Sequence, residues 1–456
     1  MKKDRKILII SYHFHPDTAV GAIRPAKFAK YLSKFGWQPY VLTIKEKYIS
    51  SKEYERLREA DNAPVFRTTV WPTVLEWVVR LRKGLSRVVR KNAHKKKGQT
   101  ILQNSGNQII ETANVFAGTT KRYLNSIFEL PDKQIGWLIP AVWKAYRLIR
   151  REHIKFVLTS SPPRTTAVIG LFLSWMSDIK LITDLRDPWY LQSKKPKVNR
   201  SLLSDIVETW LEKKIMKRSE RVITTTEHYR SFLGQHYSSL PKEKFHTIWN
   251  GYDEEDFADM GFVKPNNKFT ISYLGTFYFG RNPEGFLKSL AELIRENMIL
   301  ESEVRVNFVG DVRYAEGKSV EDMVKSLNLN NCVTIQDSVS YKESLMTMKQ
   351  SHVLLLFAPD QYYCIPAKAF EYVGAKKRIL CFSKEGATSD FLRKTGAGIV
   401  VEPEDIQQIK ASIQSVYSEY KGGQEIQYKI DTSIFERKLL SQSLSELIKE
   451  CSLNND

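Results

Sequence analysis

The chain has 456 residues and a formal net charge of +19. That length allows two or three domains with substantial cores, and the charge points to an anionic partner: nucleic acid, a membrane surface or a phosphorylated substrate. Cys332, Cys364, Cys381 and Cys451 form no C-x-x-C pair, which speaks against a disulfide framework or a zinc site and fits a reducing, cytosolic setting.

The basic opening, residues 1–6, is followed by an apolar run too short for a signal peptide, which reads better as a strand. The longest apolar stretch, residues 167–176, is far below the ~20 residues that span a bilayer. Ile7-Leu8-Ile9-Ile10 has the continuous apolar character of a strand buried on both faces. A polar loop carrying His13 and Pro16 leads to Gly21, a helical pattern over 23–35 and a second strand over 41–44. The glycine permits close backbone approach to a ligand, although no G-x-G-x-x-G is present.

Residues 71–135 interrupt this alternation. Val74, Trp77, Val78, Leu81, Leu85 and Val88 recur at helical spacing among many lysines and arginines. The pattern fits a helix lying on anionic lipid, or a core-packed helix with a solvated basic face. Alternation resumes with helix 141–151, strand 156–159 and the turn Ser160-Ser161-Pro162-Pro163, placed to cap helix 167–176. Strand 180–183 ends in Asp184-Leu185-Arg186-Asp187-Pro188-Trp189, a loop expected to face a ligand crevice. Helix 201–217, strand 221–225 and the turn Asn250-Gly251-Tyr252-Asp253 complete an N-terminal domain of residues 1–252.

A second alternating domain, residues 253–430, opens with strand 270–274, Gly275-Thr276 and Arg281-Asn282-Pro283 before helix 283–294. Strand 353–357 leads to Pro366, expected at the first position of a helix. Lys368 then falls in the first turn, the wrong end for a cation unless an anion binds there. Glu371 lies one turn on, on roughly the same face, where it could hold hydroxyls attached to that anion. A solvated lysine and a surface glutamate are the plainer alternative. Residues 431–456 form a terminal helix, expected to pack back on the N-terminal domain.

The order and spacing of these motifs resemble the retaining nucleotide-sugar glycosyltransferases of family 4. The resemblance rests on Pro16 and Gly21, Ser161-Pro162-Pro163, Asp184 to Trp189, Asn250 to Asp253 with Phe257, Gly275-Thr276, Arg281-Asn282-Pro283 and Ile365 to Tyr372. It covers almost everything outside the 71–135 insertion. It implies a GT-B fold: α/β, with two doubly wound Rossmann-like domains facing a central cleft. It further implies that Lys368 and Arg281 face the donor diphosphate as catalytic cations and that Glu371 holds the ribose. Gly21, Gly275, Thr276, Asn282 and Pro366 complete the donor side, while His13, Arg24, Arg186 and Asp187 line the acceptor side. One departure is Tyr363, at the position where the family commonly places a sugar-binding glutamate.

The expected activity is transfer of a hexosyl or N-acetylhexosaminyl group from a nucleoside-diphosphate sugar to a glycan or polyprenyl-diphosphate-linked acceptor in cell-surface polysaccharide synthesis. It is expected to be retaining and metal-independent, with no cofactor, because two cations and a helix start can stabilise the departing diphosphate and no D-x-D pair follows a strand. The basic insertion, with Arg24 and Lys27 at another helix start, motivates the lipid-linked acceptor, and the insertion suggests peripheral attachment to anionic lipid at the cytoplasmic face of the plasma membrane. A nucleotide-sugar 2-epimerase of the same fold is the alternative enzyme. A basic nucleic-acid- or membrane-binding protein without catalysis is the alternative outside enzymes, but no nucleic-acid module is recognisable and no nucleic-acid partner is expected.

Overall fold

The computed structural model describes residues 5–54, 63–73, 76–77, 130–189, 202–278, 280–424 and 426–453. Contacts divide the chain into two compact units. One comprises Met1–Ile223, Tyr237–His246 and Ile448–Asp456, and the other Thr224–His236 and Thr247–Leu447.

In the first unit β1 (Lys6–Ser11), β2 (Gln38–Ile44), β3 (Val65–Thr68), β4 (Phe156–Ser161), β5 (Lys180–Leu185), β6 (Arg221–Thr224) and β7 (Phe245–Thr247) form a sheet of order β3-β2-β1-β4-β5-β6-β7. Pairing is parallel from β3 through β5. Leu8, Ile10, Leu42, Val157 and Leu181 pack with Trp137, Ala141 and Leu148 in one core. Trp137 is fully buried, and its Nε1 donates to Thr68 Oγ1 at 2.7 Å, so its polar atom carries no desolvation penalty.

Two local features differ from the sequence expectation. The first helix spans Val20–Lys34 and begins three residues early. Asp17 Oδ1 accepts from the Ala19 N–H at 2.9 Å just ahead of it, a local start signal within the loop. The turn at Ser160-Ser161 does not cap the helix Arg164–Met176. Asp132 does so, accepting from the Thr165 N–H at 2.9 Å and its hydroxyl at 2.6 Å. Ser160 Oγ instead donates to Asp184 at 3.0 Å.

The second unit carries β8 (Phe269–Leu274), β9 (Val304–Val309), a small antiparallel hairpin of β10 (Tyr314–Ala315) and β11 (Lys318–Ser319), then β12 (Val333–Gln336), β13 (Val353–Phe357), β14 (Arg378–Phe382) and β15 (Gly398–Val401). Its sheet has the order β12-β9-β8-β13-β14-β15, with every pair parallel. Because helices cover both faces, strands such as VLLLF in β13 are buried throughout. Separate cores lie on the two faces, around Phe286 and Phe308 on one and Phe370 and Phe391 on the other. Asn250-Gly251-Tyr252 lies in this unit, where the Tyr252 N–H donates to Phe435 O at 3.2 Å and its carbonyl accepts from the Arg437 N–H at 2.8 Å.

Both sheets reverse direction of growth beside their first strand. In such a sheet the ligand crevice lies outside the strand C-termini at that reversal. In the second unit that means the residues after β8 and β13, and in the first those after β1 and β4.

Among the described residues, no helix is long and apolar enough to cross a membrane. The basic stripe from Val78 to Lys97 lies outside the described residues, as do Val74 and most of the 71–135 insertion.

Candidate functional site

After β8 the backbone turns at Gly275 with φ +145°, a conformation only glycine holds comfortably. A Cβ here would run into the Lys368 amine, which donates to the Leu274 carbonyl. Gly310, at the end of β9 with φ +125°, lies so near Gly275 that a Cβ would strike the Gly275 carbonyl. Two adjacent strand ends are thus kept bare of side chains beside one ammonium group.

Lys368 enters from the helix Ala367–Gly374. Pro366 is the N-cap, one position earlier than the sequence suggested, with extended ψ of 135° and no side-chain cap. Lys368 remains in the first turn. Its Nζ lies 4.7 Å from the centre of the Tyr273 ring, and Arg281 lies 4.2 Å from the Tyr278 ring. Among the described residues no carboxylate stands at ion-pair distance from either cation. Burial first, and the neighbouring Arg281 second, pull the Lys368 amine down to about 7, against the opposing pull of Glu371.

Glu371 follows on the same helix, with the Tyr341 hydroxyl 3.5 Å from its Oε1. The same hydroxyl donates to Asp256 at 3.2 Å. Asn282 is engaged structurally: Oδ1 accepts from the Glu284 N–H at 2.9 Å and Nδ2 donates to Glu316 at 2.9 Å. The Thr276 carbonyl accepts from the Tyr273 hydroxyl at 2.9 Å. Tyr363 is half-buried against Phe232 at 5.2 Å, and its carbonyl accepts from Thr226 Oγ1 at 2.6 Å.

The corresponding region of the first unit is built differently. Arg24 is 2% exposed, and its guanidinium is gripped by fully buried Asp184, with Nε to Oδ2 at 3.0 Å and Nη2 to Oδ1 at 2.9 Å. Arg24 and Lys27 were expected near the start of a helix, facing an acceptor. With the helix beginning at Val20 they lie in its interior, both buried. Arg186 is also buried, donating to the carbonyls of Gly21 at 2.8 Å, Ser161 at 3.0 Å and Pro162 at 2.8 Å. The Gly21 contact has a local cause. Pro25 lacks the N–H that would have reached the carbonyl four residues back, and Arg186 supplies the missing donor. A Cβ at Gly21 would stand 3.0 Å from the Arg186 guanidinium and 3.3 Å from His13 Cδ2. His13 Nδ1 lies 2.7 Å from Asp17 Oδ2, which fixes the ring. Asp187 is an exposed residue, yet desolvation by the protein around its carboxyl holds that group above the usual range, opposed by Arg186.

Of the residues singled out in sequence, the second unit brings together Gly275, Lys368, Arg281 and Glu371. The first unit gathers His13, Gly21 and Arg186 and withdraws Arg24 into its core. Sequence reading missed Tyr273, Tyr278 and Tyr341 as the ring and hydroxyl partners of these charges. Only Tyr341 carried a signal, following Ser340 of a capping box with Glu343. Among the described residues no group of three or more His, Cys, Asp or Glu is placed to hold a metal ion.

Residues 111–256 match the family model Glycosyltransferase Family 4, and residues 255–430 match the model Glycosyl transferases group 1. No curated protein matches the chain. Among solved structures the fold is similar to sucrose-phosphate synthase from Thermosynechococcus elongatus, at 14% identity and TM-score 0.62 over 98% of this chain and 99% of that one. It is similar to HepE from Anabaena in complex with UDP-glucose, at 14% identity and TM-score 0.59 over 98% and 99%. It is also similar to UDP-GlcNAc 2-epimerase from Methanocaldococcus jannaschii, at 12% identity and TM-score 0.53 over 98% and 99%. Two consecutive glycosyltransferase domains spanning residues 111–430, on two parallel-sheet Rossmann-like units of the GT-B kind, support a family-4-like glycosyltransferase.

Proposed function

We propose that the chain transfers a hexosyl or N-acetylhexosaminyl group from a nucleoside-diphosphate sugar, with retention and without a metal. The carrying observation is the pair Lys368 and Arg281, two cations close enough for Arg281 to act on the buried Lys368 amine, beside the bare turn at Gly275, with only Glu371 opposing them. An anion of two charges resolves that repulsion. Lys368, Arg281 and the open start of the helix Ala367–Gly374 stabilise the diphosphate as its bond to the sugar breaks. Glu371 accepts from the ribose hydroxyls. The acceptor hydroxyl attacks the anomeric carbon from the side of the leaving group. The leaving phosphate oxygen receives both the bond electrons and the acceptor proton. Gly275 and Gly310 let the Lys368 amine and the two strand ends pack closely.

The acceptor in this reading is a glycan or polyprenyl-diphosphate-linked intermediate of cell-surface polysaccharide, met at the cytoplasmic membrane face. His13 and Asp187 are the acceptor-side groups that remain accessible. HepE, crystallised with UDP-glucose, supports a nucleotide-sugar partner. The test is turnover with nucleotide sugars: Glu371→Ala and Lys368→Ala each lose most of it, and near-normal rates in either overturn the assignment.

A nucleotide-sugar 2-epimerase is the second reading, favoured by Tyr363 and by the fold shared with an enzyme of that activity. Consumption of donor with no acceptor present distinguishes it.

A further inference from the structure

Three neighbouring helices of the first unit, Leu138–Glu152, Arg164–Met176 and Leu202–Arg218, expose large apolar side chains that a soluble surface normally avoids. Trp143 is 57% exposed, Trp175 48% and Trp210 49%. Ile139, Phe172 and Ile206 accompany them, one on each helix. The helices touch in sequence order, the middle one packing on both others. Arg218 ties the last to the middle one, donating to Ser174 Oγ at 3.3 Å and to its carbonyl at 2.5 Å.

Each outer helix grades from apolar to basic along its exposed stripe. Ile139 and Trp143 give way to Arg147 and Arg150, and Ile206 and Trp210 give way to Lys213, Lys214 and Lys217. The cations sit against the rings: the Arg147 guanidinium is 3.6 Å from the centre of Trp143, and Lys214 Nζ is 5.7 Å from that of Trp210. Rings beside cations suit the boundary between acyl chains and phosphate headgroups. The exposed face carries more lysine and arginine than carboxylate, so a second copy of the chain would add like charge to it rather than neutralise it. A purely apolar partner would leave them unneutralised.

We propose that this three-helix face docks on an anionic bilayer, with Trp143, Trp175 and Trp210 at the acyl boundary and the basic stripes on the headgroups. This contact does not rest on the transfer reaction.

The test uses the full chain and sedimentation with vesicles of phosphatidylcholine alone or with about one-third phosphatidylglycerol, a composition chosen to give a strong surface charge. The wild type should pellet with the anionic vesicles and stay in solution with the neutral ones. The triple variant Trp143→Ala/Trp175→Ala/Trp210→Ala should bind at least about tenfold more weakly, with its melting transition kept. If that variant does not fold, Lys213→Glu/Lys214→Glu/Lys217→Glu replaces it, with the same loss expected. Quenching of tryptophan emission by bromine-labelled lipid should occur in the wild type. Unchanged binding in the folded variants, no binding by the wild type, or a dimer that the tryptophan substitutions dissociate would each overturn the proposal. Nucleoside-diphosphate binding, measured separately, is expected to be unaffected by these substitutions.

Discussion

Each unit places arginine or lysine where a Rossmann-like sheet reverses, yet the two sets of cations have opposite surroundings. In the first unit Arg24 is closed by the Asp184 carboxylate and Arg186 by three backbone carbonyls. In the second unit Lys368 has one backbone carbonyl and Arg281 a tyrosine ring, and the two cations repel each other. A satisfied cation stabilises the fold that holds it. Two neighbouring cations with no carboxylate at ion-pair distance and only Glu371 opposing them suit an anionic ligand. The same residue types beyond the strand ends of the two sheets therefore divide into structure and candidate site by their partners.

The sharpest way to break this contrast is to remove a partner in the first unit. Asp184→Asn or Arg24→Met leaves its counterpart buried alone, and urea denaturation should show a loss of about 3–5 kcal/mol. A loss under ~1 kcal/mol, too small for an uncompensated buried charge, would mean that the pair is not the closed element described. In the second unit Lys368→Met should behave in reverse. Turnover should fall about 100- to 1,000-fold, while the ligand-free protein should be no less stable at neutral pH, because a repelled and desolvated amine has been taken away. Thermal melts beside rate measurements separate these outcomes.

A smaller effect is expected at Arg186. Arg186→Met strands the Gly21, Ser161 and Pro162 carbonyls and should cost about 1.5–3 kcal/mol. Restoring an N–H with Pro25→Ala should recover part of it, since the helix can then close its own bond to Gly21. Smallest is a pH dependence. Lys368 is pulled down to about 7 when free, and a bound diphosphate would raise it again. Above that pH the complex holds a proton the free protein lacks, so affinity should fall by at most about tenfold per pH unit. Below it affinity should level off. The ligand-free protein has the complementary sign: the unfolded chain keeps the Lys368 proton up to its ordinary range, so stability rises as pH goes from about 7 toward 10. Both trends should vanish in Lys368→Met.

Much of the fold was legible because buried parallel strands declare themselves by continuous apolar runs. Strand 353–357 is found with its expected bounds. Short β3 was not, since four residues carry little pattern. Lys368 and Glu371 were legible because a helix start and a one-turn spacing are local facts. The role of Arg24 was not, because Asp184 lies 160 positions away. Asp132 was missed as a helix cap for the same reason, its partner Thr165 being 33 residues on. What sequence could not supply was which charges already have partners, and that distinction separates the cluster of the first unit from that of the second.

The most direct test is the thermal shift produced by inorganic pyrophosphate and a panel of nucleoside diphosphates on the wild type and on Lys368→Met. A ligand held only by the folded state raises its melting temperature. Stabilisation of the wild type that is lost in Lys368→Met is the predicted result. Equal stabilisation of both proteins, or of neither, would contradict the claim that the paired cations await a diphosphate.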